Sequence, residues 1–399
     1  MKKISSAIIL TLLLALLTIE TFAQSVVKND KKYQKAVAYY QDDKVDKAIE
    51  TLQPLLKTYE NESDIWDAAM AFYFKRYQKQ YKKEQTELTD QLMKSLSGKK
   101  KGGDIVINIT NLSQDYLSDY INVCYKATLK TNNATASMYL RKFLVDPQVD
   151  TAVSKEAKEL FNQAETSFQK QDYGNALKFY EQAIEKQPDY YQATLYKGDA
   201  YYFLKEYNDA LIYFKKASAI HPDLLEPRKY ITDAYGKSGK WEEAADACID
   251  AIIVYPDESM FVKLEDIAER LNKKFDRHWM SRDFVNKASS KQQASATEPW
   301  KYYAEAKTKI SPFCDSTGVI SSNNALTKQK FLEVYSWEEL LKNTSDPKFD
   351  FAKQMQKEGY LDCYVFISLF HYGVYDQYKT FSKENKDRIR KYLREYVMK

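Results

Sequence analysis

Proline and glycine are in short supply here: nine and ten residues in a chain of 399. Folds made of short strands and tight turns consume both, so their scarcity argues against such an architecture and leaves helices. Histidine is scarcer still, with only His221, His278 and His371. No His-Glu-x-x-His run exists and no histidine pair has metal-binding spacing, which removes the usual sequence route to a zinc hydrolase. The four cysteines, Cys124, Cys248, Cys314 and Cys363, form no Cys-x-x-Cys pair, so neither a redox motif nor a zinc knuckle is indicated. An excess of one charge is also missing. Sixty Lys and Arg are interspersed with 56 Asp and Glu, and no long basic face announces nucleic acid. There is no Gly-x-Ser-x-Gly elbow. Gly236-Lys237-Ser238-Gly239-Lys240 has the wrong spacing, and no preceding strand, for a phosphate loop.

What the chain does have is periodicity. Ala176, Ala210 and Ala244 are 34 residues apart, as are Ala183, Ala217 and Ala251, and Pro188, Pro222 and Pro256. A larger residue sits between the two alanines of each unit: Tyr180, Phe214, Cys248. An aromatic precedes the first alanine by three: Tyr173, Tyr207, Trp241. A fixed period of this length means one supersecondary unit copied and stacked. Spacings of four and three place the alanines and the larger residue on one helix face, where small side chains admit a neighbouring helix and the large one fills the gap. The proline ends the helix. The preceding helix carries its own apolar stripe, Leu195, Gly198 and Tyr201 in the middle unit. Each unit is therefore a pair of antiparallel helices that must stack to cover its apolar faces.

At these positions the sequence resembles the tetratricopeptide repeat family. Tyr191 to Leu224 carries Gly198, Tyr201, Tyr207, Ala210, Phe214, Ala217 and Pro222, and Leu225 to Glu258 carries Tyr235, Gly239, Trp241, Ala244, Ala251 and Pro256. The unit from Glu156 keeps Ala164, Tyr173, Ala176, Tyr180, Ala183 and Pro188. Thr232 departs from the family's usual glycine or alanine. The resemblance implies an all-α, right-handed superhelix of helical pairs that binds a partner protein on its concave side. The first helix of each unit lines that side.

Outside the regular array, spanning residues 151–258, the reading is coarser. Lys2 and Lys3, an apolar core from Ala7 to Ile19, and Thr21-Phe22-Ala23 describe a signal peptide over residues 1–23. The apolar core is too short to span a bilayer, and no later run reaches the ~18 residues needed. The expectation is export across the inner membrane of a bacterium, to the periplasm or the periplasmic side of the outer membrane. Residues 24–150 look like degenerate repeats with an insertion. Ala36, Tyr39, Ala48, Leu52 and Leu55 keep the spacing, and Trp66, Ala69, Met70 and Tyr73 open a further unit. A charged extended helix then runs from Arg76, followed by a Gly/Lys loop at 97–103 and a strand-like stretch at 104–110. Tyr120, Val123, Cys124 and Ala127, then Ala136, Leu140 and Phe143, continue the pattern to Pro147. Residues 259–399 form a helical extension of no family resemblance, with a Ser/Gln/Ala-rich linker at 289–297. Phe261, Leu264, Ile267 and Leu271 are placed to cap the last repeat, and a helix is expected from Phe331 to Leu341.

Helical spacing gives the candidate binding face as Asn162, Glu165 and Gln169, then Tyr196, Asp199 and Phe203, then Tyr230, Asp233 and Lys237. Glu165, Asp199 and Asp233 form an acidic row beside Tyr196 and Tyr230, which suits an extended peptide segment carrying Lys or Arg. Phe161, Glu165 and Tyr196 replace the Lys, Asn and Arg with which family members clasp the carboxylate tails of heat-shock chaperones, so that grip is not expected. The candidate partner-binding residues are thus Glu165, Tyr196, Asp199, Phe203, Tyr230 and Asp233. No catalytic residue, metal or cofactor is expected. A disulfide between Cys314 and Cys363 is available to an exported protein. The competing readings are an enzyme or metal-binding protein with its site in the C-terminal region, around His278 with Asp276 and Asp283 or His371 with Cys363 and Asp376, and a purely structural spacer.

Overall fold

The computed structural model describes residues 26–97, 112–146, 149–150, 152–280, 299–320 and 330–399. The expected signal peptide, most of the Gly/Lys loop, the strand-like stretch and the Ser/Gln/Ala linker lie outside the described residues. The fold is all-α. The chain divides into two compact units, one ending at Ala136 and the other beginning at Ser137.

In the first unit, α1 (Lys31–Gln41) and α2 (Val45–Thr58) form one helical pair, and α3 (Ser63–Ser97) and α4 (Leu112–Thr131) a second. Asp30 caps α1 by accepting from the amides of Lys32 and Tyr33. The expected packing residues Ala36, Ala48, Leu52, Leu55, Trp66, Ala69 and Met70 are all buried. α3 runs to 35 residues because nothing interrupts its charged second half. Its buried Glu84 accepts a hydrogen bond from the Ser113 amide at 3.0 Å and so ties down the start of α4. A short helix, α5 (Ala134–Leu140), follows, with Asn133 accepting from the Ala136 amide at 2.9 Å.

The regular array follows the period. α6 (Lys155–Gln169) pairs with α7 (Tyr173–Lys186), α8 (Tyr191–Phe203) with α9 (Tyr207–Ile220), and α10 (Glu226–Lys237) with α11 (Trp241–Val254). All six periodic alanines are fully buried, as are Tyr180 and Cys248, with Phe214 nearly so. Gly198 shows why small residues are needed. A Cβ there would stand 2.6 Å from the Phe214 ring. The turns share a further feature at the same period. Gln171, Lys205 and Gly239, 34 residues apart, all have positive φ (60°, 64° and 71°), and Asp43 takes the equivalent place between α1 and α2 at 62°. This left-handed residue reverses the chain within three residues, which fixes how closely the two helices of a pair can lie. Only Gly239 adopts it without steric cost.

The second unit begins at Ser137, and Arg141 ties its first segment to the array. Its guanidinium is buried within 3.2–3.5 Å of Asp146, Glu226 and Asp257, which joins this segment to the starts of α10 and α12 (Glu258–Arg270). Asp150 adds to the attachment by accepting from the Tyr191 and Gln192 amides at the head of α8. Residues 137–146 and 149–150 therefore belong with the array.

The C-terminal region is likewise continuous with the array. α13 (Trp300–Ile310), α14 (Leu332–Lys342), α15 (Asp350–Glu358), α16 (Leu361–Cys363), α17 (Tyr375–Glu384) and α18 (Lys386–Tyr392) share one hydrophobic core with α11 and α12. A two-residue antiparallel pairing, β1 (Val319–Ile320) with β2 (Lys330–Phe331), precedes α14. The helix expected from Phe331 to Leu341 is α14. The capping residues Phe261, Leu264 and Ile267 are buried as expected. α18 and the turn after it lie along α11. Arg394 bonds Glu242 at 2.9 Å and Asp246 at 2.5 Å, Arg390 pairs with Asp250, and the buried Tyr378 hydroxyl of α17 donates to the Ile253 carbonyl at 2.6 Å. The last residue exchanges backbone hydrogen bonds of 2.9 and 2.8 Å with Lys274.

The disulfide expected between Cys314 and Cys363 is absent: both are free thiols. Cys363 is fully buried in the shared core, while half-buried Cys314 points its sulfur at the Ile310 carbonyl, 3.5 Å away. Among the described residues no helix is long and apolar enough to cross a membrane.

Two substitutions test the geometry of the pair. Gly198→Ala is expected to destabilise the protein by about 1–3 kcal/mol, because Phe214 must move. Lys205→Gly is expected to stabilise by up to ~1 kcal/mol by relieving the left-handed backbone. Chemical denaturation of both variants checks the opposite signs.

Candidate functional site

The face read from helical spacing is built by α6, α8 and α10, with side chains of the second helices reaching into it. Phe161 of α6 stacks on Tyr196 of α8, with ring centres 5.8 Å apart and planes 28° from parallel, and it also meets Tyr180 and Tyr190 at 5.9 and 5.3 Å. Tyr230 of α10 packs against Phe214 at 5.3 Å. The Phe161–Tyr196 and Phe214–Tyr230 contacts bridge successive units, so these ring positions follow from the stacking of the repeats. Tyr196, Asp199, Tyr230, Asp233 and Glu165 are all half-buried.

The three carboxylates of the expected acidic row are not equivalent. Glu165 accepts a short hydrogen bond from the Tyr180 hydroxyl. Burial pushes its carboxyl up, and the Tyr180 bond offsets part of that. Asp233 is paired with Lys263, which reaches over from α12. Asp199 stands between them, and among the described residues no cation or hydrogen-bond donor meets its carboxylate. Burial first, and then the charge of Glu165, push its pKa up to about 7. The row of three open charges thus reduces to one unpaired carboxyl, framed by Tyr196 and Tyr230. Burial, and then the charges of Glu165 and Asp199, push the Tyr196 hydroxyl up to about 12 and keep it protonated.

Phe203 has a different setting. It is 55% exposed, stacks face to face with Tyr173 at 5.6 Å and meets Phe168 edge-on at 5.4 Å. With Tyr202 and Tyr207 it forms an aromatic edge at the turn end of the helices. Sequence reasoning missed Tyr180 and Lys263 as members of the site. The spacing marks Tyr180 only as a packing residue, and Lys263 lies beyond the end of the period, where no equivalent position points to it.

The alternative groupings in the C-terminal region have their own geometry. His371 is buried, with Nε2 3.9 Å from Glu333. Glu333 also accepts from Tyr303 at 2.6 Å, Lys307 at 2.9 Å and Trp337 at 3.3 Å. Burial pushes this carboxyl up, but Lys307, His371 and Tyr303 outweigh it and hold the group well below the usual range. The network ties α13 to α14 inside the core. His278 stacks on Phe351 at 3.6 Å, with Nε2 3.5 Å from Asp276. Asp283 lies outside the described residues. Among the described residues no group of three or more His, Cys, Asp or Glu side chains is placed to hold a metal.

Part of the array matches a known family. Residues 161–224 match the tetratricopeptide repeat family. The match runs from the middle of α6 to just past α9, within the first two units of the array. Solved structures similar to the chain include the TPR2AB domain of yeast Sti1 in complex with HSP90 (16% identity, 61% of this chain and 98% of that one, TM-score 0.28). Others are the Sgt2 TPR domain from Aspergillus fumigatus (15%, 37% and 99%, TM-score 0.29) and MamA from Desulfovibrio magneticus RS-1 (17%, 41% and 82%, TM-score 0.28). Comparison with curated proteins finds no match.

The raised Asp199 pKa has a consequence for stability. The folded protein holds a proton that the unfolded chain, with an ordinary value of 3.8, has already released, so stability falls as pH rises from about 4 to about 7. Asp199→Asn removes that dependence. It is expected to raise stability by roughly 1–2 kcal/mol at pH 8 after allowing for solvent screening, and to change little at pH 4. Urea unfolding of both proteins across this range checks the sign.

Proposed function

We propose that this protein is a non-enzymatic interaction scaffold of the bacterial cell envelope. It holds an extended segment of a partner protein in the groove of its tetratricopeptide array, with a Lys or Arg of that segment meeting Asp199. The observation that carries this reading is the Asp199 carboxyl itself: half-buried, unpaired and framed by Tyr196 and Tyr230. A cation entering there gains a charge partner in a partly desolvated setting and the faces of two tyrosines, and it supplies the partner that the carboxylate lacks. Asp233 is already matched by Lys263, so cation recognition centres on the middle repeat. The envelope assignment rests on the signal-like first 23 residues. Processing after Ala23 would place the mature protein in the periplasm or at the periplasmic side of the outer membrane.

Short unstructured peptides carrying one central Lys or Arg, compared with the same peptides carrying Ala, test the groove by fluorescence anisotropy. The cationic peptides are expected to bind at least about tenfold more tightly, and Asp199→Asn or Tyr196→Ala to abolish the difference. Because the bound form requires an ionised Asp199, affinity is expected to rise from pH 6 to pH 8. Equal binding of the Lys and Ala peptides would sink the proposal. Binding of neither would favour the reading of the array as a spacer. For export, expression with the full N-terminus should yield a mature chain starting at Gln24, read by N-terminal sequencing.

A further inference from the structure

A cleft of about 590 Å³ opens in the first unit, where the turn between α1 and α2 faces the middle of α3 and the first turns of α4. Its charge is unlike that of the rest of the chain, in which acids and bases nearly balance. Five cations line it, Lys44, Lys47, Arg76, Lys79 and Lys83, against two carboxylates, Asp43 and Asp46. From these observations we infer that the cleft is a binding site for a small organic oxyanion, a molecule bearing phosphate or carboxylate groups.

Arg76 is the organised element of the site. Its guanidinium lies over the rings of Tyr73 and Tyr116, at 4.9 and 4.2 Å, and one end is held by Asp119 at 2.6 Å. The fork is therefore fixed in place before any ligand arrives, which lowers the entropic cost of binding. Its Nε–H is buried and has no acceptor, although Asp119 satisfies the other end of the group. Lys79 is held over the cleft by Asp43 at 2.6 Å, and Asp43 is itself shared with Lys75 at 3.1 Å. One carboxylate thus carries two lysines, leaving excess positive charge for a ligand. Exposed Lys47 and Lys83 flank the opening; Lys83 has only a distant contact with Glu87 at 3.9 Å. The first turn of α2 (Val45 to Lys47) forms part of the wall, and no side chain caps its amides. That adds a favourable field for an anion. Tyr116 contributes an apolar surface for the body of the ligand. The volume fits a small metabolite-sized molecule and is smaller than a folded partner would need.

The site is independent of the array groove: it uses other helices and the opposite charge preference. Isothermal titration calorimetry of the full chain is the test, with inorganic phosphate, glycerol 3-phosphate and citrate as probes and glycerol as the neutral control. At least one anion is expected to bind with one-to-one stoichiometry and to weaken as salt is raised. Lys47→Glu combined with Lys83→Glu, both on exposed surface, is expected to weaken it at least tenfold while leaving the helical circular dichroism unchanged. Arg76→Lys keeps the charge but loses the fixed fork, and is expected to cost severalfold. Binding of the phosphates alone identifies a phosphate-bearing ligand, and binding of citrate alone a carboxylate. The proposal is overturned if no anion binds, if glycerol binds equally, or if the double charge reversal leaves affinity unchanged.

Discussion

The seat of Phe214 against Gly198 is the contact on which the array's geometry depends. It sets how near α9 can come to α8, and the alanines of α7, α9 and α11 set the same limit elsewhere. Close approach in turn positions the first helices of neighbouring units, so Phe161 on α6 can lie over Tyr196 on α8. The aromatic frame of the groove is thus a product of backbone packing. Enlarging one small residue in the interior would displace rings on the surface that it never touches.

Much of this was legible in the sequence because the information is local and repeated. The alanine and proline positions gave the ends of α7, α9 and α11: Lys186, Ile220 and Val254 each precede the helix-ending proline by two residues. The left-handed turn residue recurs at the same interval but is Gln, Lys and Gly in successive units. Residue type gives no warning of the first two, since the tight turn imposes the conformation on them. The site was half legible. Helical spacing placed Asp199, Tyr196 and Tyr230 together. It could not reveal that Tyr180 satisfies Glu165 or that Lys263 neutralises Asp233, because both partners come from helices outside the repeating face.

The C-terminal region was the least legible, since its contacts join residues more than a hundred positions apart. One sign was present in α11. Besides the periodic Ala244, Cys248 and Ala251, this helix carries Ala245, Ile249, Ile252 and Ile253, and all of them are buried. A helix that is apolar around most of its circumference must be covered on more than one side. The cysteines teach the complementary lesson. Export would permit a bridge, but Cys363 is enclosed in a core assembled from α11 to α18, and Cys314 sits at the end of α13. Pairing depends on where the folded backbone carries each thiol, and sequence holds no record of that.

The covering of α11 bears on how such a chain can change over generations. Glu242, Asp246 and Asp250 form an acidic seam along its outer side, and that seam is occupied by Arg394 and Arg390 from the same chain. A duplicated 34-residue unit placed directly after α11 would find its stacking surface already taken. Lengthening by tandem duplication is therefore confined to the interior of the array. The register between its last unit and the C-terminal helices is inherited as a block.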